Sequence, residues 1–193
     1  MYAFINLIVL AASSALFALF YIWSVRPATL EQEIGPAAYA QCARYRQWSS
    51  VFMLVATVSF VLVRWLPPPL PVPDTFPWPW WVSATLAAAI AVPSTYLFVR
   101  GMADAGEETM TPKAEHTLYG GIYRRMRHPQ ALGEVLIWSV MALLLHTPFL
   151  LLIAVAYVPV WVYFCVAEER DLVLRYGRAY EDYRARTGFW WPR

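Results

Sequence analysis

The chain has 193 residues, of which 60% are apolar and only 15% are charged. Soluble domains run near roughly half apolar and a quarter charged, so a water-soluble globule is disfavoured from the start. The net charge of +2 is too small for a nucleic-acid-binding surface, and no basic run with interleaved aromatics appears, so no nucleic-acid partner is expected. Cys42, Cys165, His116, His128 and His146 share no metal-ligand spacing. Neither a disulfide framework nor a metal site is therefore expected.

The first predicted element, Tyr2 to Ser24, carries no charge. It is long enough to cross a hydrocarbon layer of about 30 Å, which takes about 20 residues. A cleaved leader would need a basic start, a shorter apolar core and a small-residue cleavage site, so a retained span is expected. The second run, Trp48 to Val63, ends at Arg64 and Trp65. Five prolines between Pro67 and Pro73 then forbid a helix, since each removes a donor and clashes with the preceding turn. The third run, Trp80 to Val99, opens on a tryptophan cluster of the kind found at headgroup level, and Pro93 is expected to kink it.

From Ala131 to Ala167 the chain is almost continuously apolar, nearly twice the need of one span. His146-Thr147-Pro148 interrupts it, because the residue before proline leaves the α region easily. Two spans joined by a tight hairpin are predicted, Ala131 to Leu145 and Phe149 to Ala167. The expected fold is all-α and polytopic: five membrane helices, then a cytoplasmic C-terminal helix. Residues 1–100 form a three-span region. Residues 101–193 hold a polar loop, the hairpin and the tail, the two regions making one integrated domain. With the C-terminus inside, fourteen of the fifteen basic residues fall on the cytoplasmic side and only Arg64 falls outside, as the positive-inside bias requires.

Two cytoplasmic segments carry candidate chemistry. In the first, Gly120-Gly121 permits positive φ and close backbone approach, and Pro129 suits the first turn of the fourth span. Arg127 and His128 then sit beside free backbone donors at a helix start, a place suited to an anion. The bland alternative is that Arg124, Arg125 and Arg127 are membrane-surface anchors. The second segment opens with Glu168 and Glu169. Leu172, Tyr176, Tyr180 and Tyr183 follow at helical spacing, which Gly177 divides into two pieces.

The pattern Gly121-x-Tyr123-x-x-x-Arg127-His128-Pro129, then, after a hydrophobic hairpin, Glu168-Glu169-x-x-Leu172-x-x-x-Tyr176-Gly177-x-x-Tyr180-x-x-Tyr183, resembles the isoprenylcysteine carboxyl methyltransferase family and its phospholipid-methyltransferase relatives. The resemblance covers roughly residues 115–192. It implies an S-adenosylmethionine-dependent methyltransferase whose active site opens at the cytoplasmic membrane face and whose partners are membrane lipid and a lipophilic or lipidated acceptor. It also implies that Glu115, His116, Thr117, Leu118, Tyr119 and Tyr123 line the cofactor, with Thr117, Leu118 and Tyr119 on the adenosine side. His128 and Pro129 close the pocket, Glu168 accepts hydrogen bonds from the cofactor, and Glu169 supports it. Arg127, Glu168 and Glu134 are the candidate catalytic groups; Glu134, His128 and Glu168 are the possible bases for an amine or thiol acceptor.

The chain departs from the family pattern in three places. Glu115 stands where a histidine is usual, Ala131 replaces the tyrosine after Arg-His-Pro, and no basic residue lies between Trp161 and Ala167. The last departure argues for an acceptor without a carboxylate handle, unless Arg44 or Arg46 supplies the charge. A sterol-reductase-like enzyme using NADPH is the rival reading, since Gly133-Glu134 also fits the stretch of those enzymes. A non-enzymatic membrane protein with a decayed motif is the third.

Overall fold

The computed structural model describes residues 1–113 and 120–193. Its helices in chain order are α1 (Tyr2–Ser24), α2 (Pro27–Ile34), α3 (Ala37–Leu62), α4 (Trp80–Ala105), α5 (Pro129–Leu144), α6 (Pro148–Tyr176) and α7 (Arg178–Arg186). Among the described residues no strand forms, and two short 3-10 turns, Gly106–Thr109 and Gly121–Arg124, flank the polar loop. The regular structure of the described residues is all helical, as the long apolar runs predict.

Three helical segments are long and apolar enough to cross a membrane: Tyr2–Ser24, Trp80–Thr109 and Pro148–Tyr176. Helix α5 is apolar but shorter. Its 16 residues rise about 24 Å at 1.5 Å each, a little under the hydrocarbon thickness. Helix α3 begins at Ala37, well before the expected Trp48, because Tyr39 to Gln47 continue the helix with polar and basic side chains. Helix α6 also overruns its expected end at Ala167 and continues for nine residues to Tyr176. Glu168 and Glu169 therefore sit within a helix, where the helix emerges after about 20 apolar residues.

Large apolar side chains face outward along these helices, with Leu54 64% and Val92 74% exposed, which suits a lipid solvent. The interior is aromatic. Phe17 of α1, Phe60 of α3, Trp138 of α5, and Trp161 and Phe164 of α6 form one buried cluster. Phe17 meets Phe164 edge-on at 5.6 Å, and Phe60 meets Trp138 edge-on at 5.1 Å.

Small residues let α4 and α5 approach closely. A Cβ at Gly133 would lie 2.5 Å from the Ser94 carbonyl oxygen, and one at Gly101 would lie 2.9 Å from the Gln130 backbone nitrogen. Helix α4 runs through Pro93 without a break. At one end of the bundle, the turn between α5 and α6 passes through His146 at φ 55°. The Ser83 hydroxyl bonds the His146 ring at 2.8 Å and accepts Trp78 Nε1–H at 2.9 Å, which holds that turn.

At the other end, α2 links the two halves of the chain. Pro27 occupies its first turn, and the free Ala28 and Thr29 amides donate to the Asp171 carboxylate of α6 at 3.0 and 2.7 Å. The Thr29 hydroxyl adds a third bond at 2.8 Å. Asp171 is buried, and a carboxylate at a helix N-terminus satisfies both the orphan donors and the dipole. This clamp holds α2, which packs on α3, against α6.

Candidate active site

A cavity of about 710 Å³, its mouth included, lies at this end of the bundle. Tyr21 of α1, Arg46 of α3, Glu134 of α5, Glu168 of α6, and Tyr180 and Tyr183 of α7 all face it, with Tyr123, Arg127 and His128 from the connecting segment.

The connecting segment is shaped by Asp104. Its carboxylate accepts the Ile122 amide at 2.7 Å, and a Cβ on Gly121 would lie 2.0 Å from the same carboxylate. Gly121 also takes φ 58°, so glycine is required there on two counts. Tyr123 is thereby turned inward and buried. The Tyr183 hydroxyl donates to its carbonyl oxygen at 2.7 Å, tying α7 to the segment.

Arg127 and His128 form the next layer. Arg127 Nε donates to Glu169 Oε1 at 2.6 Å, and His128 Nε2 lies 2.9 Å from that oxygen. The His128 ring faces Glu168 on its other side, Nδ1 to Oε2 at 3.6 Å. Pro129 opens α5 with His128 as the residue before it, and is buried without lining the cavity. The two adjacent acids are thus not equivalent. Glu169 is consumed by Arg127 and His128, with a side chain 10% exposed, whereas Glu168 keeps 33% of its side chain exposed and lines the cavity. Burial works against the charged form of His128, but Cys165, Glu168 and Glu169 outweigh it and hold the ring well above the usual histidine range.

The C-terminal residues strap this layer down. The Arg127 amide donates to the Gly188 carbonyl at 2.8 Å and the His128 amide to the Phe189 carbonyl at 3.2 Å. The Arg127 guanidinium bonds the Thr187 carbonyl and the Arg184 carbonyl, the latter at 3.1 Å. The Phe189 ring covers both side chains, 4.8 Å from the His128 ring and 5.5 Å from the Arg127 guanidinium. Arg127 lines the cavity but is committed to Glu169 and to these carbonyls.

Burial first, then the Glu168 charge, push the Tyr123 phenol far above its ordinary range. Tyr180 and Tyr183 are raised by burial and by Glu169 and Glu168, against the pull of Arg127. All three stay neutral phenols at any physiological pH.

Sequence reasoning did not place Tyr21, Ala105, Glu108, Thr109 or Gln130 at the site, and it offered Arg46 only as a more distant source of positive charge. Arg46 Nη1 donates to the Glu108 and Thr109 carbonyls at 3.0 and 2.9 Å, and Nε donates to the Ser24 hydroxyl at 3.3 Å. Among the described residues it meets no carboxylate at ion-pair distance. The lack of a basic residue from Trp161 to Ala167 therefore does not leave the cavity without a cation. Arg44, by contrast, is exposed and bonds the Gln41 side chain. Glu115, His116, Thr117, Leu118 and Tyr119 lie outside the described residues. Among the described residues no group of acids, histidines and cysteines is placed to hold a metal ion.

This donor set fits a zwitterionic nucleoside-sulfonium ligand: a carboxylate, a guanidinium and several neutral phenols in one cleft at the end of an apolar bundle. A sequence model of the family described as phospholipid methyltransferase matches residues 82–179, slightly more than half of the chain and all of the cavity's C-terminal wall up to Leu172. The chain is similar to methanethiol S-methyltransferase 2 of Bradyrhizobium diazoefficiens, at 29% identity over 170 residues, 75% of this chain and 59% of the relative. The chain thus spans less than two thirds of that relative's length. No solved structure gives a significant match.

Proposed function

The chain belongs to the phospholipid methyltransferase family, and from that premise we propose that it transfers a methyl group from S-adenosylmethionine to a lipophilic, neutral acceptor at a membrane face. The carrying observation is the cavity itself, where Glu168 is left available by its neighbour Glu169 and shares the space with Arg46 and four tyrosines. Glu168 would hold the cofactor's ammonium or ribose hydroxyls, Arg46 its carboxylate, and Tyr123, Tyr180 and Tyr183 its remaining polar edges. When bound, the cofactor supplies an electrophilic methyl group on a positively charged sulfur. The chain's part is to fix that group against the acceptor, which removes several kcal/mol of barrier through proximity, and to keep water away.

A thiol is the acceptor class that best agrees with the similar protein's name and with the apolar lining contributed by Ala131 and Leu172. In this reading α3 and α5 join the three long apolar segments as spans, giving five. The cavity end faces the cytoplasm because fourteen of fifteen basic residues lie toward it. Gly133, one of the two residues on which the reductase reading rests, has a packing explanation, since only glycine allows α5 to approach α4 there.

The test is label transfer from S-adenosylmethionine by the purified protein in lipid vesicles, offered ethanethiol, a long-chain thiol and a farnesylated cysteine in parallel. Methylation of the thiols supports the reading. Preferential ester formation on the prenylcysteine would replace the acceptor class, and no transfer to any acceptor would remove the activity.

A further inference from the structure

Glu134 is a cavity-lining carboxylate with no ion-pair partner among the described residues. It lies six residues past His128 along α5, about 9 Å deeper at 1.5 Å per residue, where the surroundings turn apolar. Its one hydrogen bond among the described residues comes from Trp161 Nε1 at 3.3 Å. No arginine, lysine or histidine among them lies at ion-pair distance. A half-buried carboxylate in apolar surroundings, held by one long bond, is costly, and glutamine would accept the same Trp161 proton without that cost. Its neighbours Tyr21 and Ala131 line the same cavity, so the carboxylate borders space that a ligand can fill.

We propose that Glu134 is the catalytic base that takes the proton from a neutral thiol acceptor bound at the inner end of the cavity, an inference that rests on the methyltransferase reading above. In this step the thiol S–H bond breaks, its proton passes to a Glu134 carboxylate oxygen, and its electron pair stays on sulfur. That sulfur forms the new bond to the methyl carbon. The pair of the old carbon–sulfonium bond returns to the cofactor's sulfur, leaving two neutral thioethers and a neutral carboxyl group. One anion and one cation are extinguished together, which a low-dielectric site favours because it penalises charge. Glu134 then releases its proton to water through the mouth.

The experiment compares wild type with Glu134→Gln, an isosteric change that keeps the Trp161 bond. Turnover is measured on ethanethiol, which is mostly protonated near neutral pH, and on 4-nitrothiophenol, which is already ionised. Loss of a positioned base predicts a fall of roughly 100-fold or more with ethanethiol and a change within a few-fold with the aryl thiolate. S-adenosylhomocysteine affinity by calorimetry should stay at the wild-type value. In the cofactor-free protein, the infrared band of a protonated carboxyl group, followed through a pH titration, should be lost in the variant. Glu134→Asp, which keeps a carboxylate, should recover part of the ethanethiol rate and serves if the glutamine variant does not fold. Equal losses on both thiols, no loss on either, or an unchanged infrared titration would overturn the assignment. Failure of S-adenosylhomocysteine to bind wild type would instead overturn the methyltransferase reading beneath it.

Discussion

The two halves of the chain contribute to one cavity in different ways. The C-terminal half supplies a contiguous set, Tyr123, Arg127 and His128 in one short segment and Glu168 with Tyr180 and Tyr183 on α6 and α7. The N-terminal half supplies two isolated side chains, Tyr21 and Arg46, brought there by helix packing. A contiguous set leaves a pattern in the sequence. A contribution of single residues from separate helices leaves none, although it provides a cation that meets no carboxylate at ion-pair distance among the described residues.

This comparison breaks most sharply at Asp171, which joins the halves without lining the cavity. Replacing it by alanine orphans the Ala28 and Thr29 amides and the Thr29 hydroxyl, with an expected cost of about 3 kcal/mol. Thermal unfolding in detergent should show that loss. S-adenosylhomocysteine binding should weaken as well, because α2, which packs on α3, is no longer held against α6. A stability loss with unchanged affinity would mean that the N-terminal half is a separate prop.

Arg46 sharpens the comparison with a smaller effect. Arg46→Gln removes the proposed partner of the cofactor's carboxylate and is expected to weaken S-adenosylhomocysteine roughly tenfold, or about 1.4 kcal/mol. Methylthioadenosine, which lacks the amino-acid portion, should lose little. Equal weakening of both ligands would assign Arg46 to holding the Glu108 and Thr109 carbonyls alone.

Much of the fold was legible in the sequence because lipid imposes a simple length and polarity rule. The uncharged run to Ser24, the proline block after Arg64 and the His146-Thr147-Pro148 break all correspond to observed element ends or irregular segments. The boundaries that moved lie where helices leave the apolar layer. Polar residues such as Arg46 and Glu168 continue a helix as well as apolar ones do, so hydropathy marks the edge of the layer and not the end of α3 or α6. The inequality of Glu168 and Glu169 was not legible at all. Adjacent residues on a helix point about 100° apart, and only the packed position of Arg127 and His128 decides which carboxylate is consumed. Gly121 was legible as a turn, but its dependence on the Asp104 carboxylate was not, since 17 positions separate the two.

The central claim is that the carboxylate left available at the cavity holds the cofactor, and calorimetric titration of Glu168→Ala with S-adenosylhomocysteine tests it most directly. The account predicts a loss of roughly ten- to a hundredfold in affinity, about 1.5 to 3 kcal/mol, with a melting temperature close to that of the wild type. An affinity equal to wild type, in a variant that folds, would contradict it.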